Sequence, residues 1–299
     1  MDKLLAIVGI LFVCPLLFSQ QFERMEFENL KYQELRTSGP DGAPPCLVVY
    51  LHSNRGGGDD NETQMTQIAV GRISDYIKSN HMPACFLVPQ CPSGIEWATR
   101  GDRPGYAGKV QALILHYASR KGIDVNRIYI CGASMGACGT WQLLKDNPAL
   151  FASALIASGR SVTPWAKDYI SLPLYITAGT EERSFMPLQW FASEINHAGG
   201  KAVFLPLPDL RHGEACEEAF SPERLKRLFS HVKGADNQTE AIDGQAANGG
   251  ARASKGASYS FSLFCFPFGA AFEITFPRAD GSGRPAAGAV KEQAEKQNP

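Results

Sequence analysis

The chain has 299 residues, with 29 Lys and Arg against 30 Asp and Glu, giving a formal net charge of -1. That balance excludes a basic stripe holding nucleic acid by phosphate neutralisation. Hydrophobic residues make up 44% and charged residues 20%, so the length supplies a real core for one large domain or two small ones. Eight cysteines include no CxxC pair, and the six histidines include no HExxH. No disulfide scaffold, metal or cofactor is expected.

The first residues, Met1-Asp2-Lys3, precede an apolar run from Leu4 to Phe18. A membrane span needs about 20 apolar residues, so this run is short. Pro15 and the small Ser19 fit a secretory signal cut after Ser19, with residues 1–19 removed. An uncleaved anchor is the alternative. A lipoprotein cut before Cys14 would place bulky Val13 at the junction, a poor fit. Cleavage implies a secreted or periplasmic protein with no stable membrane span. It leaves seven cysteines, so at least one thiol stays unpaired or pairs between chains.

From Leu30 the chain alternates strand-like and helical segments. Leu30–Arg36 reads as an antiparallel edge strand. Cys46–His52 is a continuous apolar run suited to a strand covered on both faces. Thr63–Ser79 reads as a helix, Ala84–Pro89 as a strand and Ala107–Lys121 as a helix. Then come strand Arg127–Gly132, helix Met135–Asp146, strands Ala154–Ala157 and Leu174–Ala178, and helix Met186–His197. Strand Ala202–Leu205 and helix Glu223–His231 close the domain. The alternation predicts an α/β fold: a mainly parallel sheet with helices on both faces, and no insertion long enough for a large lid.

Residues 30–233 are read as the catalytic domain. From Gly234 the composition shifts to Gly, Ala, Asn, Gln and Ser, which cannot bury enough surface to offset chain entropy. Residues 234–299 are read as a low-complexity, disordered tail. Within it lies an aromatic island, 259–276, that can dock as a strand pair or act as an adhesive surface.

Gly132-Ala133-Ser134-Met135-Gly136 matches G-x-S-x-G, directly after a strand and directly before a helix. That setting is the signature of a nucleophile elbow. Small neighbours permit the tight turn that lifts the Ser134 hydroxyl above the sheet. The Met135 amide then faces a developing oxyanion. A serine hydroxyl needs a base. In this arrangement the chain order is serine, acid, histidine. Of the downstream histidines, His197 sits at a helix end and His231 in the closing helix. His212 follows the last strand at the carboxyl edge of the sheet, and is the expected base. The acid belongs at the end of strand Leu174–Ala178, where Glu181 and Glu182 stand side by side. Asp209 is a third candidate, close to His212 in sequence. In an extended strand exit, adjacent side chains diverge, so only one glutamate can face His212.

The loop His52-Ser53-Asn54-Arg55-Gly56-Gly57-Gly58-Asp59-Asp60-Asn61 supplies the second oxyanion donor, the amide of Asn54 or of Ser53. It lacks the lysine and spacing of a P-loop.

The run Asn126–Tyr129 through the elbow to Gly139-Thr140-Trp141 resembles the α/β-hydrolases grouped as predicted peptidases or phospholipase/carboxylesterase-like esterases. Polyhydroxybutyrate depolymerase-like and feruloyl or acetyl xylan esterases are related to that group. The loop from His52 to Asn61 is similar to the group's oxyanion loop, and Pro89-Gln90-Cys91-Pro92 and Trp97 fit it too. The resemblance spans Leu30 to Lys233. It implies serine hydrolysis of carboxylic esters through an acyl-enzyme, with Ser134, His212 and Glu182 as triad. The acid is Glu where Asp is usual. Two residues depart from the pattern: Ser53 and Ala137 stand where Gly is usual.

The expected substrate is an accessible ester, on carbohydrate or short-chain, with His52, Trp97 and Trp165 as candidate substrate contacts. The alternatives are a serine peptidase, or a non-catalytic binding protein on the same fold. The sequence carries no signal for the oligomeric state.

Overall fold

Eight strands form one sheet: β1 (Glu23–Phe27), β2 (Leu30–Thr37), β3 (Cys46–Leu51), β4 (Ala84–Pro89), β5 (Ile128–Ala133), β6 (Ser153–Ala157), β7 (Pro173–Gly179) and β8 (Lys201–Leu207). Their order across the sheet is β1-β2-β4-β3-β5-β6-β7-β8. The first two strands pair antiparallel, and β2 meets β4 antiparallel. From β4 onward every pairing is parallel. This computed structural model describes residues 21–234, except 40, 41 and 121, and the backbone of three short strands between 260 and 292.

Strand periodicity explains the two-sided core. Alternate side chains leave opposite faces of a strand. In β3, Leu47, Val49 and Leu51 join one buried cluster, while Cys46, Val48 and Tyr50 join the other. Helices α2 (Ala107–Ala118), α3 (Met135–Asp146) and α4 (Phe185–His197) cover the first face. Helices α1 (Ile68–Ser79) and α6 (Pro222–Phe229) cover the second. The short α5 (His212–Glu218) packs near the end of β7.

The chain runs from β3 outward to β4, then returns past β3 to β5. The helix after β3 and the helix after β5 thus lie on opposite faces. A crevice opens at the carboxyl ends of β3 and β5, the switch point where α/β proteins bind ligands.

Several elements differ from expectation. β1 was not legible as a strand, because its ERMEF sequence is mostly exposed and carries no apolar run. The expected helix Thr63–Ser79 breaks at Gln67, which is extended at φ -70°, ψ 126° between a 3-10 turn (Thr63–Thr66) and α1. His231 lies beyond α6, where its ring stacks on Tyr175. Between β6 and β7 run residues 158–172, whose one regular element is a short 3-10 turn, Ala166–Tyr169, too little for a large lid.

The six cysteines of the described residues 21–234 are all free, and four of them are buried. Among the described residues, no helix is long and apolar enough to cross a membrane. The signal segment 1–19 lies outside the described residues, and so does the linker beyond Gly234. The chain divides into two units, Met1–Gln238 and Thr239–Pro299. In the second, β9 (Ser260–Cys265), β10 (Ala270–Thr275) and β11 (Ala289–Glu292) form an antiparallel sheet with β10 central.

Candidate active site

The turn between β5 and α3 is set by close backbone approach. A Cβ on Gly136 would lie 1.8 Å from the Leu51 carbonyl oxygen, so only glycine lets α3 start against β3. Ser134 takes up the turn at φ 54°, ψ -113°, in a region that non-glycine residues rarely visit. Its amide is anchored to the Ala157 carbonyl at 2.8 Å. The backbone strain is held by the strands on either side, and the hydroxyl is presented above the sheet edge.

Ser134 Oγ lies 2.8 Å from His212 Nε2. His212 is the first residue of α5, a helix that the sequence reading did not include. The helix is legible only locally: seven residues, HGEACEE, carry no apolar stripe. Glu214 accepts the Arg211 amide at 3.0 Å and caps its start.

His212 Nδ1 lies 2.7 Å from Glu182 Oε2. Neither Glu181 nor Asp209 reaches the imidazole; both are exposed. The chain does not leave β7 extended. It turns, with the Glu182 amide bonding the Gly179 carbonyl at 3.2 Å, and this turn swings Glu182 inward and leaves Glu181 outside. The Glu182 side chain is only 3% exposed, whereas that of His212 is 52% exposed. Burial alone would raise the Glu182 pKa. Hydrogen bonds from His212, Ser158, the Gly179 amide and Ser184 outweigh it and hold the carboxyl below its ordinary value.

Ser158 donates to Glu182 Oε1 at 2.7 Å, the Gly179 amide to the same oxygen at 2.6 Å, and Ser184 to Oε2 at 2.8 Å. Nothing in sequence spacing marks Ser158 or Ser184. The one local hint is that Ser158-Gly159 stands at the carboxyl end of β6, where a site is expected.

The His212 pKa is raised above its ordinary 6.5. The largest cause is the Cys216 sulfur, 4.0 Å from Nε2, followed by the Glu182 carboxylate. Partial burial opposes both. Cys216 lies one helical turn after His212, on the same face of α5.

The oxyanion loop is tied down by polar contacts. The Cys91 amide donates to His52 Nε2 at 2.9 Å, so Nε2 is the acceptor and Nδ1 carries the proton to the Ser53 carbonyl at 2.7 Å. Burial lowers the His52 pKa to about 4, which keeps this ring neutral. A Cβ on Gly56 would lie 2.6 Å from His52 Cγ, so the loop folds directly over the ring. Gln90 accepts from the Asn61 amide and donates to Asp60 Oδ1, both at 2.7 Å.

Of the two loop amides expected as oxyanion donors, Ser53 N–H is already committed. It donates to Gln67 Oε1 at 3.3 Å, and its hydroxyl donates to the same atom at 2.8 Å. Asn54 and Met135 are each the first residue of a helix, one a 3-10 turn and the other α3, so neither amide has an intrahelical acceptor. Both residues line one cavity of about 690 Å³ with Ser134 and His212. Ser53 itself sits at φ -69°, ψ 173°, ordinary for any residue, so its departure from glycine costs the loop nothing.

The three expected substrate contacts are not at the cavity wall. His52 and Trp97 are fully buried, and the Trp97 indole donates to the His52 carbonyl at 3.0 Å. Both shape the loop from beneath. Trp165 is 64% exposed but lines neither cavity beside Ser134.

No protein-family model and no curated protein matches the chain. Solved structures do. A thermostable esterase superposes with a TM-score of 0.61 at 23% identity, covering 71% of this chain and 63% of its own length. A Staphylococcus aureus fluorophosphonate-binding serine hydrolase, FphF, gives 0.54 at 12%, covering 70% and 97%. The feruloyl esterase module from Clostridium thermocellum gives 0.52 at 12%, covering 71% and 88%. The chain therefore spans less than two thirds of the first of these proteins. At such identities the likeness is one of fold.

Proposed function

We propose that this chain, an α/β-hydrolase by fold, is a serine carboxylic ester hydrolase that works through an acyl-enzyme. The observation that carries this reading is the continuous relay from Ser134 through His212 to Glu182, with contacts of 2.8 and 2.7 Å. His212 takes the Ser134 proton as the hydroxyl oxygen attacks the acyl carbon. Glu182 holds the imidazole with its proton on Nδ1 and stabilises the cation that forms. The Asn54 and Met135 amides stabilise the oxyanion. His212 then protonates the leaving alcohol, and water, deprotonated by the same imidazole, releases the acid. No step draws on a metal or cofactor.

A half-exposed His212 and the absence of a large lid between β6 and β7 support accessible esters, such as acylated carbohydrate or short-chain esters, over long buried chains. Export after cleavage at Ser19 remains part of the proposal, on the apolar run Leu4–Phe18. So does a catalytic unit ending near Lys233.

A fluorophosphonate probe tests the reading, because only an activated serine reacts quickly. Labelling that maps to Ser134, with hydrolysis of nitrophenyl or acetyl-sugar esters exceeding that of peptides, is the expected result. An unlabelled, folded protein would exclude catalysis and leave a binding protein on this fold.

A further inference from the structure

The cavity beside Ser134 has an unusual wall. Arg100, Arg160, Arg183 and Arg211 all line it, and no lysine does. They come from four separate loops, after β4, β6, β7 and β8, all at the carboxyl edge of the sheet. Two are chain neighbours of the triad: Arg183 follows Glu182 and Arg211 precedes His212. Arg160 follows Gly159, which packs so closely that a Cβ there would lie 2.4 Å from Ala137 Cβ and 2.5 Å from the Ser134 carbonyl oxygen. The root of the Arg160 side chain is thereby fixed relative to the nucleophile.

The acids of this wall do not neutralise it. Glu96 pairs with Arg100. Glu182 is committed to His212. Glu181 lines the cavity, yet Arg160, Arg183 and Arg211 make no ion pair among the described residues. Four guanidinium groups against Glu96, Glu181 and Glu182 leave one unmatched positive charge while His212 is neutral, and two once it takes the Ser134 proton, in a chain whose formal net charge is -1. A second cavity, of about 540 Å³, meets the first at Asn54, Ser134 and His212 and otherwise has its own lining. There the charges of Arg55 and Glu217 cancel in sum, and Ser53, Thr66 and Ile68 add uncharged surface. An ester bound across Ser134 therefore places one half in a cationic chamber and the other in a neutral one.

Guanidinium groups present planar forks that match the oxygen pairs of carboxylate, sulfate and phosphate. We propose that the ester cleaved here carries a multi-oxygen anion on the half that occupies the arginine-lined cavity, and that Arg160, Arg183 and Arg211 determine this specificity. The inference rests on the ester-hydrolase reading above and names its substrate class: esters of anionic acids or of anionic sugars. The three arginines are exposed, so the discrimination is electrostatic and sensitive to salt.

Matched ester pairs test it. Mono-4-nitrophenyl glutarate against 4-nitrophenyl valerate places the charge in the acyl half. Acetylated glucuronate, and acetylated glucose 6-sulfate, against acetylated methyl glucoside place it in the alcohol half and separate carboxylate from sulfate. The expected result is at least one pair in which the charged ester has a kcat/KM about tenfold or more above its neutral mate. In Arg160→Gln, Arg183→Gln and Arg211→Gln combined, that ratio falls towards one, mainly through KM. In the unsubstituted protein, 0.5 M NaCl compresses it. Single variants are read separately should the combined one fail to fold. Charged esters no better than neutral ones in every pair, or a ratio that survives all three substitutions, would overturn the inference while leaving ester hydrolysis standing. If no ester is turned over and the fluorophosphonate does not label Ser134, the hydrolase reading falls and this inference with it.

Discussion

Ser158 donates its hydroxyl to Glu182 Oε1 at 2.7 Å from a backbone held at φ 55°. Its own amide bonds the Thr177 carbonyl at 2.9 Å, so the loop after β6 is fixed to β7. The carboxylate that orients His212 is thus itself oriented from a neighbouring strand, and both of its oxygens are occupied.

Glu182→Gln tests that arrangement. The amide cannot hold His212 in the same tautomer, and kcat should fall by up to about 10⁴-fold, as for the equivalent amide swap in a serine protease. Glu181→Gln should change kcat by less than about threefold, because that side chain is exposed and touches no triad member. Steady-state kinetics on both variants decides. Equal effects, or the reverse order, would remove Glu182 from the relay.

Ser134, the proposed nucleophile, also carries backbone strain. Ser134→Ala should abolish ester hydrolysis yet keep the strained backbone. Ser134→Gly should be equally inactive but melt higher than the alanine variant. Glycine relieves a strain of about 1–3 kcal/mol and loses about 0.4–1 kcal/mol through unfolded-chain entropy. Thermal melts of the two side by side read the difference. A glycine variant less stable than the alanine variant would mean that the φ of 54° is not costly here.

The pH profile follows from the direction of the His212 shift. The base form is the deprotonated imidazole, so kcat/KM rises with pH as the proton leaves. Because the folded pKa is raised, the rising limb should have its midpoint above 6.5. Cys216 is the largest cause, so Cys216→Ala should move the limb to lower pH, with Glu182 still in place. A limb at or below 6.5, with chemistry limiting, or one unmoved by the substitution, would contradict the assignment.

The loop donor can be removed without touching a side chain of the relay. Asn54 is the first residue of its 3-10 turn, a position where proline fits. Ser53 before it is already extended, as a residue preceding proline must be. Asn54→Pro therefore deletes one N–H and little else. A loss of about 10²–10³-fold in kcat is expected for one oxyanion donor. Asn54→Ala keeps the amide and should lose far less. Similar losses in both would point to the Asn54 side chain instead.

The second unit supplies one further expectation. Lys233, near the end of the first unit, makes three contacts: its amide on the Asn126 carbonyl, and its ammonium on those of Ala149 and Leu150. A chain ending at Lys233 should keep activity and most of its thermal stability. Loss of folding on truncation would show that residues beyond 234 belong to the core.

The parts of the fold read most directly from sequence are those where one physical signal dominates. Ala84–Pro89 and Met135–Asp146 have the predicted bounds, one an apolar run buried on both faces, the other a helix launched by the elbow. β1 and α5 lack such signals, being an exposed edge strand and a seven-residue helix. The break at Gln67 was hidden for another reason. Its side chain is needed by Ser53, fourteen residues earlier, and no local periodicity reports that demand. The arginine wall is similar: residues 100, 160, 183 and 211 meet only because four strands end on one edge. Trp97 shows the converse error. A lone tryptophan near a site attracts a binding role, but its indole finds a backbone carbonyl beneath the loop.

The oxyanion donors proposed at Asn54 and Met135 are peptide groups, which every residue but proline supplies. Mutation at these two codons can thus alter the cavity lining while leaving the electrophile's binding point untouched. Chemistry and selectivity are inherited separately at the same positions. Such a site can acquire a new diet by drift, one side chain at a time, without passing through an inactive ancestor.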